Sequence, residues 1–246
     1  MSGTSAVVTG GATGIGRAIV GQLANAGARG LSCDLGSHPD ELPSGWGATT
    51  ADVRIETDLE RTFAEAGDRF GTIDVVVANA GVVPGWSDTE SIDLSEWDAV
   101  FATNVRGVIA TIKHAVPLMK ERGGSIVVLG SLNSRRAHPR QCLYTATKHA
   151  VLGIVRSTAL DLGRFGIRVN AIGPGPIATD ALVQRIETRE SQGEPPRDEV
   201  LAAYAADTAL GRIATVGDVA ATAIFLASPA AASVTGQIIP IDGGLP

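Results

Sequence analysis

Short apolar runs alternate with longer stretches of helical period from one end of the chain to the other. Seven runs read as strands: Ala6–Thr9, Gly30–Cys33, Gly47–Ala51, Asp74–Ala78, Ser125–Leu129, Arg168–Ile172 and Gln237–Ile241. Several are rich in Val and Ile with no polar alternation, the pattern of strands covered on both faces. Between them the period lengthens; Ile15, Ile19 and Leu23 recur every four residues. Thr215 followed by Asp218 predicts a capping box, its acid shortened to Asp, at the head of "VAATAIFLAS". Strand and helix alternating throughout specify an α/β chain with a doubly wound parallel sheet of about seven strands, helices on both faces, in a single domain over 1–246. One segment breaks the rhythm. From Pro174 to about Arg212 the chain carries "PGP" and then "SQGEPPRDE", too long for an ordinary strand-to-helix connection. An insertion at the carboxyl end of a strand usually covers a ligand, so 176–212 is expected to be a substrate lid rather than a loose surface excursion.

Composition narrows the class. Apolar residues make up 44% of the 246 and mean hydropathy is +0.18, enough to bury a large core. Thirty glycines against 4% aromatics suit tight turns and close helix–sheet packing. The net charge of −6 comes without any long basic run, which argues against nucleic acid or an anionic membrane as partner. Cys33 and Cys142 form neither a disulfide framework nor a metal pattern, and are expected to be buried or inert thiols; no metal is expected. The N-terminus "MSGTSAVVTGG" lacks a basic region followed by a long apolar one, and no apolar run reaches membrane-spanning length. A soluble cytoplasmic protein in a reducing compartment is expected.

The first strand runs into "VVTGGATGIGRAI". Gly10 permits a tight turn, Gly14 lets backbone approach a pyrophosphate and Gly16 allows a helix to pack closely, a Rossmann-type arrangement. The helix that follows would aim free N–H groups and its positive dipole end at the anion. Asp34 ends the second strand, twenty-four residues after Gly10. A carboxylate there accepts hydrogen bonds from ribose hydroxyls and repels a 2′-phosphate; Thr13, Leu35, Gly36 and Ser37 offer no cation to offset that repulsion. NAD is therefore expected over NADP. Asp52, after the third strand, is placed either to meet an adenine amino group or to cap the helix that begins at "IETDLE".

The stretch "SLNSRRAHPRQCLYTATKHA" carries the strongest chemical signal. It holds one of two tyrosines and one of three lysines, four residues apart, and a serine thirteen residues before the tyrosine. On a helix that spacing puts Tyr144 and Lys148 on one face. A free phenol, with a pKa of about 10, is a poor base near neutrality; an ammonium within about 5 Å favours the phenolate.

These residues resemble the classical short-chain dehydrogenases/reductases, over essentially the whole chain. "TGGATGIG" at Thr9–Gly16 is similar to the family's cofactor motif, and "ANAG" at Ala78–Gly81 to its NNAG motif with alanine in the first position. Asn104, Ser131, Tyr144 and Lys148 match the catalytic tetrad. "PGPIAT" at Pro174–Thr179 resembles the segment that closes on a nicotinamide, and "GQIIPIDGG" the last strand and turn. The resemblance implies Tyr144 as general base or acid, Lys148 holding the nicotinamide ribose, Ser131 stabilising the substrate oxygen, and Asn104 bending its helix and holding a water. It implies cofactor contacts from Gly10, Thr13, Gly14, Ile15, Gly16, Asp34, Leu35, Asp52, Val53, Asn79, Ala80, Gly81, Tyr144, Lys148, Pro174, Gly175, Ile177 and Thr179. The cofactor half would span about 1–130 and the catalytic and substrate half about 131–246. A homotetramer is implied, paired through helices around Asp98–Lys120 and Tyr144–Gly163.

The resemblance also implies that Asn133 and Gln141, with Ser131 and Tyr144, face the substrate. Two amides that want partners favour a hydroxylated or oxo-acid molecule. Val82, Val83, Pro84 and Trp86 are read as an apolar wall. The basic cluster Arg135, Arg136, His138 and Arg140 either binds an acidic substrate or lines a solvated loop or subunit interface. The expected activity is NAD-dependent oxidation of a small polar secondary alcohol. A 3-oxoacyl or 3-hydroxyacyl thioester oxidoreductase and a dinucleotide-sensing regulator are the alternatives.

Overall fold

The computed structural model describes residues 1–38, 41–191 and 193–245. Seven parallel strands form one sheet: β1 (Ser5–Thr9), β2 (Arg29–Asp34), β3 (Trp46–Thr50), β4 (Val75–Ala78), β5 (Gly124–Leu129), β6 (Ile167–Pro174) and β7 (Ile238–Ile241), in the spatial order β3-β2-β1-β4-β5-β6-β7. All seven expected runs are strands, their ends moved by a few residues; β6 grows most, running on to Pro174. The helices are α1 (Gly14–Asn25), α2 (Glu56–Phe70), α3 (Leu94–Phe101), α4 (Gly107–Met119), α5 (Cys142–Leu162), α6 (Asp180–Glu190), α7 (Arg197–Ala206) and α8 (Val216–Ala227).

The inner strands are buried on both faces because helices cover both. In β1, Val7 packs into the layer with Leu59 and Phe63 of α2, Ile112 of α4 and Val155 of α5, while Ala6 and Val8 pack into the layer with Ile19 and Leu23 of α1 and Val219 and Leu226 of α8. β3 departs from the apolar expectation: beyond Trp46 its residues alternate between half-buried and exposed, as fits a strand at the sheet's edge.

Because every strand is parallel, all carboxyl ends lie along one side of the sheet. Gly10, Asp34, Asp52, Asn79 and Ser131 follow or end five successive strands there. The strand order reverses between β1 and β4, which opens a crevice at that edge. Over the same edge lies the long insertion, which is not an irregular loop but two helices, α6 and α7. Its root is pinned by a parallel bridge between Ile177 and Ala214. The capping box at the head of α8 is present: Asp218 N–H donates to Thr215 Oγ1 at 3.1 Å and Thr215 N–H to Asp218 Oδ2 at 2.8 Å.

Candidate active site

The glycine-rich turn is built for a large anion. Gly10 and Gly14 adopt left-handed φ values of +67° and +52°. Gly16 has no room for a side chain, since a Cβ there would sit 1.9 Å from the Gly10 carbonyl oxygen. Gly14 is the reverse: the nearest atom to its missing Cβ is Thr179 Cγ2 at 4.0 Å, so a gap lies between the helix start and the root of the lid. Thr13, the N-cap of α1, makes no side-chain cap, leaving first-turn N–H groups for a ligand. Asn79 is held by donating Nδ2 to the carbonyls of Thr9 (3.1 Å) and Gly10 (2.8 Å), while its buried Oδ1 has no partner. An open glycine cradle, an uncapped helix start and an orphaned buried acceptor fit a dinucleotide.

Asp34 closes this turn. Its Oδ2 accepts from Ala12 N–H at 3.0 Å and its Oδ1 from Gly36 N–H at 3.1 Å, so it is a turn-stabilising residue as well as the candidate ribose acceptor. The Asp52 carboxylate faces Arg54, receiving Nε at 3.0 Å and Nη2 at 2.6 Å. The guanidinium bonds hold its carboxyl below the usual range. Neither sequence reading of Asp52 included that pairing. Val53 is buried against Gly107, and Leu35 is largely exposed. Thr9, which opens the glycine motif, accepts at Oγ1 from the N–H groups of Asn79 and Ala80, a contact that spacing does not reveal; His38, which sequence reasoning passed over, has its Nε2 2.9 Å from Ser32 Oγ.

Ser131, Tyr144, Lys148 and Asn104 come from three local structures, the turn after β5, α5 and the segment between α3 and α4, and are brought close together. Ser131 ends the run after β5 and accepts from Asn133 N–H at 3.1 Å, which fixes its hydroxyl. Tyr144 and Lys148 lie one turn apart on α5, with Lys148 Nζ 5.6 Å from the tyrosine ring centre. Lys148 is 6% exposed, donates to the Leu129 carbonyl at 2.9 Å, and burial pulls its pKa down to about 8. Enclosure of the Tyr144 hydroxyl raises its pKa, while the nearby Ser131 hydroxyl and the Arg185 guanidinium favour the phenolate. The residues Ala102–Arg106, between α3 and α4, form one π-helical turn. That turn seats the fully buried Asn104, whose side chain accepts from Val82 N–H and donates to the Val82 carbonyl, both at 2.8 Å. Asn104 Nδ2 also lies 3.4 Å from Thr147 Oγ1, and Thr147 donates to the Tyr144 carbonyl at 2.7 Å.

The substrate side differs from the sequence reading in its energetics. Asn133 and Gln141 satisfy each other, Asn133 Nδ2 donating to Gln141 Oε1 at 2.8 Å and also to Thr145 Oγ1 at 3.1 Å. Their amides therefore give less reason to expect a polar substrate than the sequence suggested. The basic cluster disperses: Arg136 donates to the Leu245 carbonyl at 2.9 Å, whereas Arg140 lies between Asp88 (3.6 Å) and Glu194 (3.9 Å). A shallow cleft opens beside Tyr144, lined also by Gly85, Glu96, Arg140, Gln141 and Cys142. Val82, Val83 and Trp86 are substantially exposed, and Trp86 lies under Arg189 of the lid, 4.4 Å from guanidinium to ring centre. Cys33 is buried, with its thiol pushed up to about 12, while Cys142 is exposed beside the cleft.

A family model described as enoyl-(acyl carrier protein) reductase matches residues 10–246. The chain is 36% identical to (+)-borneol dehydrogenase 2 of Salvia officinalis over 98% of its own length and 89% of that protein. The crystal structure of levodione reductase superposes with a TM-score of 0.91 at 31% identity, covering 99% of this chain and 97% of the other. The ligand-free aldohexose dehydrogenase of Thermoplasma acidophilum gives 0.91 at 29% identity, over 98% and 93%. The chain belongs to the classical short-chain dehydrogenase/reductase family. It is accordingly an oxidoreductase of a family that uses a nicotinamide cofactor. No helix among the described residues is long and apolar enough to cross a membrane.

Proposed function

We propose that this protein is an NAD-dependent oxidoreductase acting on a small polar secondary alcohol of polyol, sugar or hydroxy-acid type. Tyr144 serves as general base in oxidation and general acid in reduction. The observation that carries the reading is one phenol set beside a serine hydroxyl and over a buried lysine one helical turn away. When bound, NAD supplies the acceptor for the hydride leaving the alcohol carbon. The protein's task is the other half of the reaction. The alcohol O–H proton passes to the Tyr144 oxygen as the carbonyl forms, and Ser131 donates to the substrate oxygen.

Lys148 and Asn104 are positioning groups in this reading. Lys148 brings a charge below the tyrosine ring and is spaced to hold the nicotinamide ribose. Asn104 ties α3–α4 to the turn after β4 and, through Thr147, to the tyrosine's own helix turn. Asp34, Gly14, Asn79 and Thr179 would hold the dinucleotide, with Asp34 selecting NAD. Self-association as a homotetramer through α4 and α5 belongs to the same reading.

Initial rates with NAD and NADP, across polyols, aldoses, hydroxy acids and 3-hydroxyacyl thioesters, test it. Preference for NAD and for one of the small polar classes is expected, and Asp34→Asn should narrow the NAD preference while keeping an acceptor for the turn. Thioesters as the best substrates, or efficiency equal or better with NADP, would overturn it.

A further inference from the structure

The lid brings a cation to the candidate site that the function above does not use. Arg185 lies on α6, where its neighbour Ile186 is 1% exposed and anchors the helix. One turn on, Arg189 rests on Trp86 at 4.4 Å, so that face of α6 is turned toward the turn after β4. Arg185 shares that face and is half-buried. Tyr144, Arg189 and Tyr204 are near its guanidinium, and among the described residues no carboxylate forms an ion pair with it. The nearby acids are engaged elsewhere: Glu194 and Asp88 with Arg140, and Glu187 with Arg197 at 3.1 Å. Arg189, too, is directed onto an aromatic ring rather than an acid. A partly desolvated guanidinium without an anion is unfavourable, and a planar fork facing the reacting centre is matched by a carboxylate.

We propose that Arg185 is a substrate-binding residue, taking the carboxylate of a small hydroxy acid whose alcohol carbon lies at Tyr144. This rests on the oxidoreductase reading and narrows its substrate class to anions. It also gives the lid a reason to close: α6 gains its missing counter-ion only when the acid is present, which draws the helix over the cleft.

The test uses the full-length protein with saturating NAD. Rates are measured for lactate and 3-hydroxybutanoate, both enantiomers, and for their methyl esters. Wild type should prefer acid to ester. In Arg185→Gln the acid-to-ester ratio of kcat/KM should fall by at least about thirtyfold, the scale of breaking a desolvated charge pair. Arg185→Lys, which keeps the charge and loses the fork, should recover part of it. An unchanged ratio, with both substrates falling together, would overturn the proposal and leave Arg185 acting on Tyr144 or on the fold. A second arm covers failure of the parent reading: malonate is titrated calorimetrically into the NAD-loaded protein. If no alcohol is oxidised yet malonate binds wild type and not Arg185→Gln, the anion site stands and the activity reading fails. If wild type does not bind malonate and no acid is preferred, the proposal fails whatever alcohol the enzyme oxidises.

Discussion

At the residue scale, the site is a contest over one proton. Enclosure holds the Tyr144 phenol neutral, and Ser131 and Arg185 pull the other way. Removing the hydroxyl alone separates chemistry from packing: Tyr144→Phe should keep the fold and NAD affinity while kcat falls by roughly 10²–10⁴, the range for loss of a general base. Single-turnover rates and NAD titration check it, and near-normal turnover would show that the phenol carries no proton. Lys148→Ala should instead lower turnover and NAD affinity together, because one ammonium is assigned to both jobs. Sequence spacing put Tyr144 and Lys148 on one helix face because both residues are scarce and lie one turn apart, and the fold places them so; Ser131 and Asn104 were singled out only by the family resemblance. Spacing missed Arg185, which stands in "VQRIETRE", a run whose alternating charges look like any solvated helix face. Only the fold turns that arginine inward. Nor does a one-dimensional pattern reveal that Asn133 and Gln141, two amides eight residues apart, bond to each other.

At the element scale, local chemistry decides more. The strands were legible because burial on both faces forces continuous Val and Ile, and only the edge strand β3, half in water, relaxes that demand. The π turn at Ala102–Arg106 was not legible from periodicity, since one extra residue in a turn leaves no mark on a short apolar repeat. The head of α8 was legible, and its energetics can be tested. Backbone N–H donation from Thr215, with Arg212 and the Thr215 hydroxyl assisting, holds the Asp218 carboxyl down to about 2. A carboxylate whose folded pKa is depressed stabilises above its unfolded value, about 3.9, and loses that contribution as pH falls toward the folded one. Asp218→Asn should therefore lower the urea midpoint near neutrality, and its deficit against wild type should shrink between about pH 4 and pH 2. Thr215→Ala removes the other half of the box and should cost about 1 kcal/mol. A deficit that is flat with pH would mean that the charge of Asp218 adds nothing to the cap.

At the scale of the whole molecule, the sheet order was out of reach of the sequence pattern, because the inner strands are all continuous apolar runs and permuting them buries them equally well. The order matters: it puts the reversal between β1 and β4 and so places the glycine turn beside Asn79. The outer surface raises the remaining question. α5 is a helix of 21 residues that carries Leu160 at 86% exposure, and a Cβ added at Gly153 would meet nothing within 4 Å in its own chain. An exposed glycine within a helix costs about 1 kcal/mol relative to alanine, so its presence asks for a reason from outside the chain. A second α5 packed against it across a two-fold axis supplies one, with small residues allowing close approach. The two possibilities respond oppositely to one substitution. If α5 faces water, Gly153→Leu should raise thermal stability and leave the mass unchanged. If α5 meets its copy, the same change should remove local flexibility yet fill the space between the helices, and the assembly should come apart. Light scattering at micromolar concentration is expected to give four chains for wild type and fewer for Gly153→Leu, with the helical signal in circular dichroism retained. A wild-type mass of one chain would contradict the tetramer outright, and four chains in both proteins would move the interface away from this face of α5.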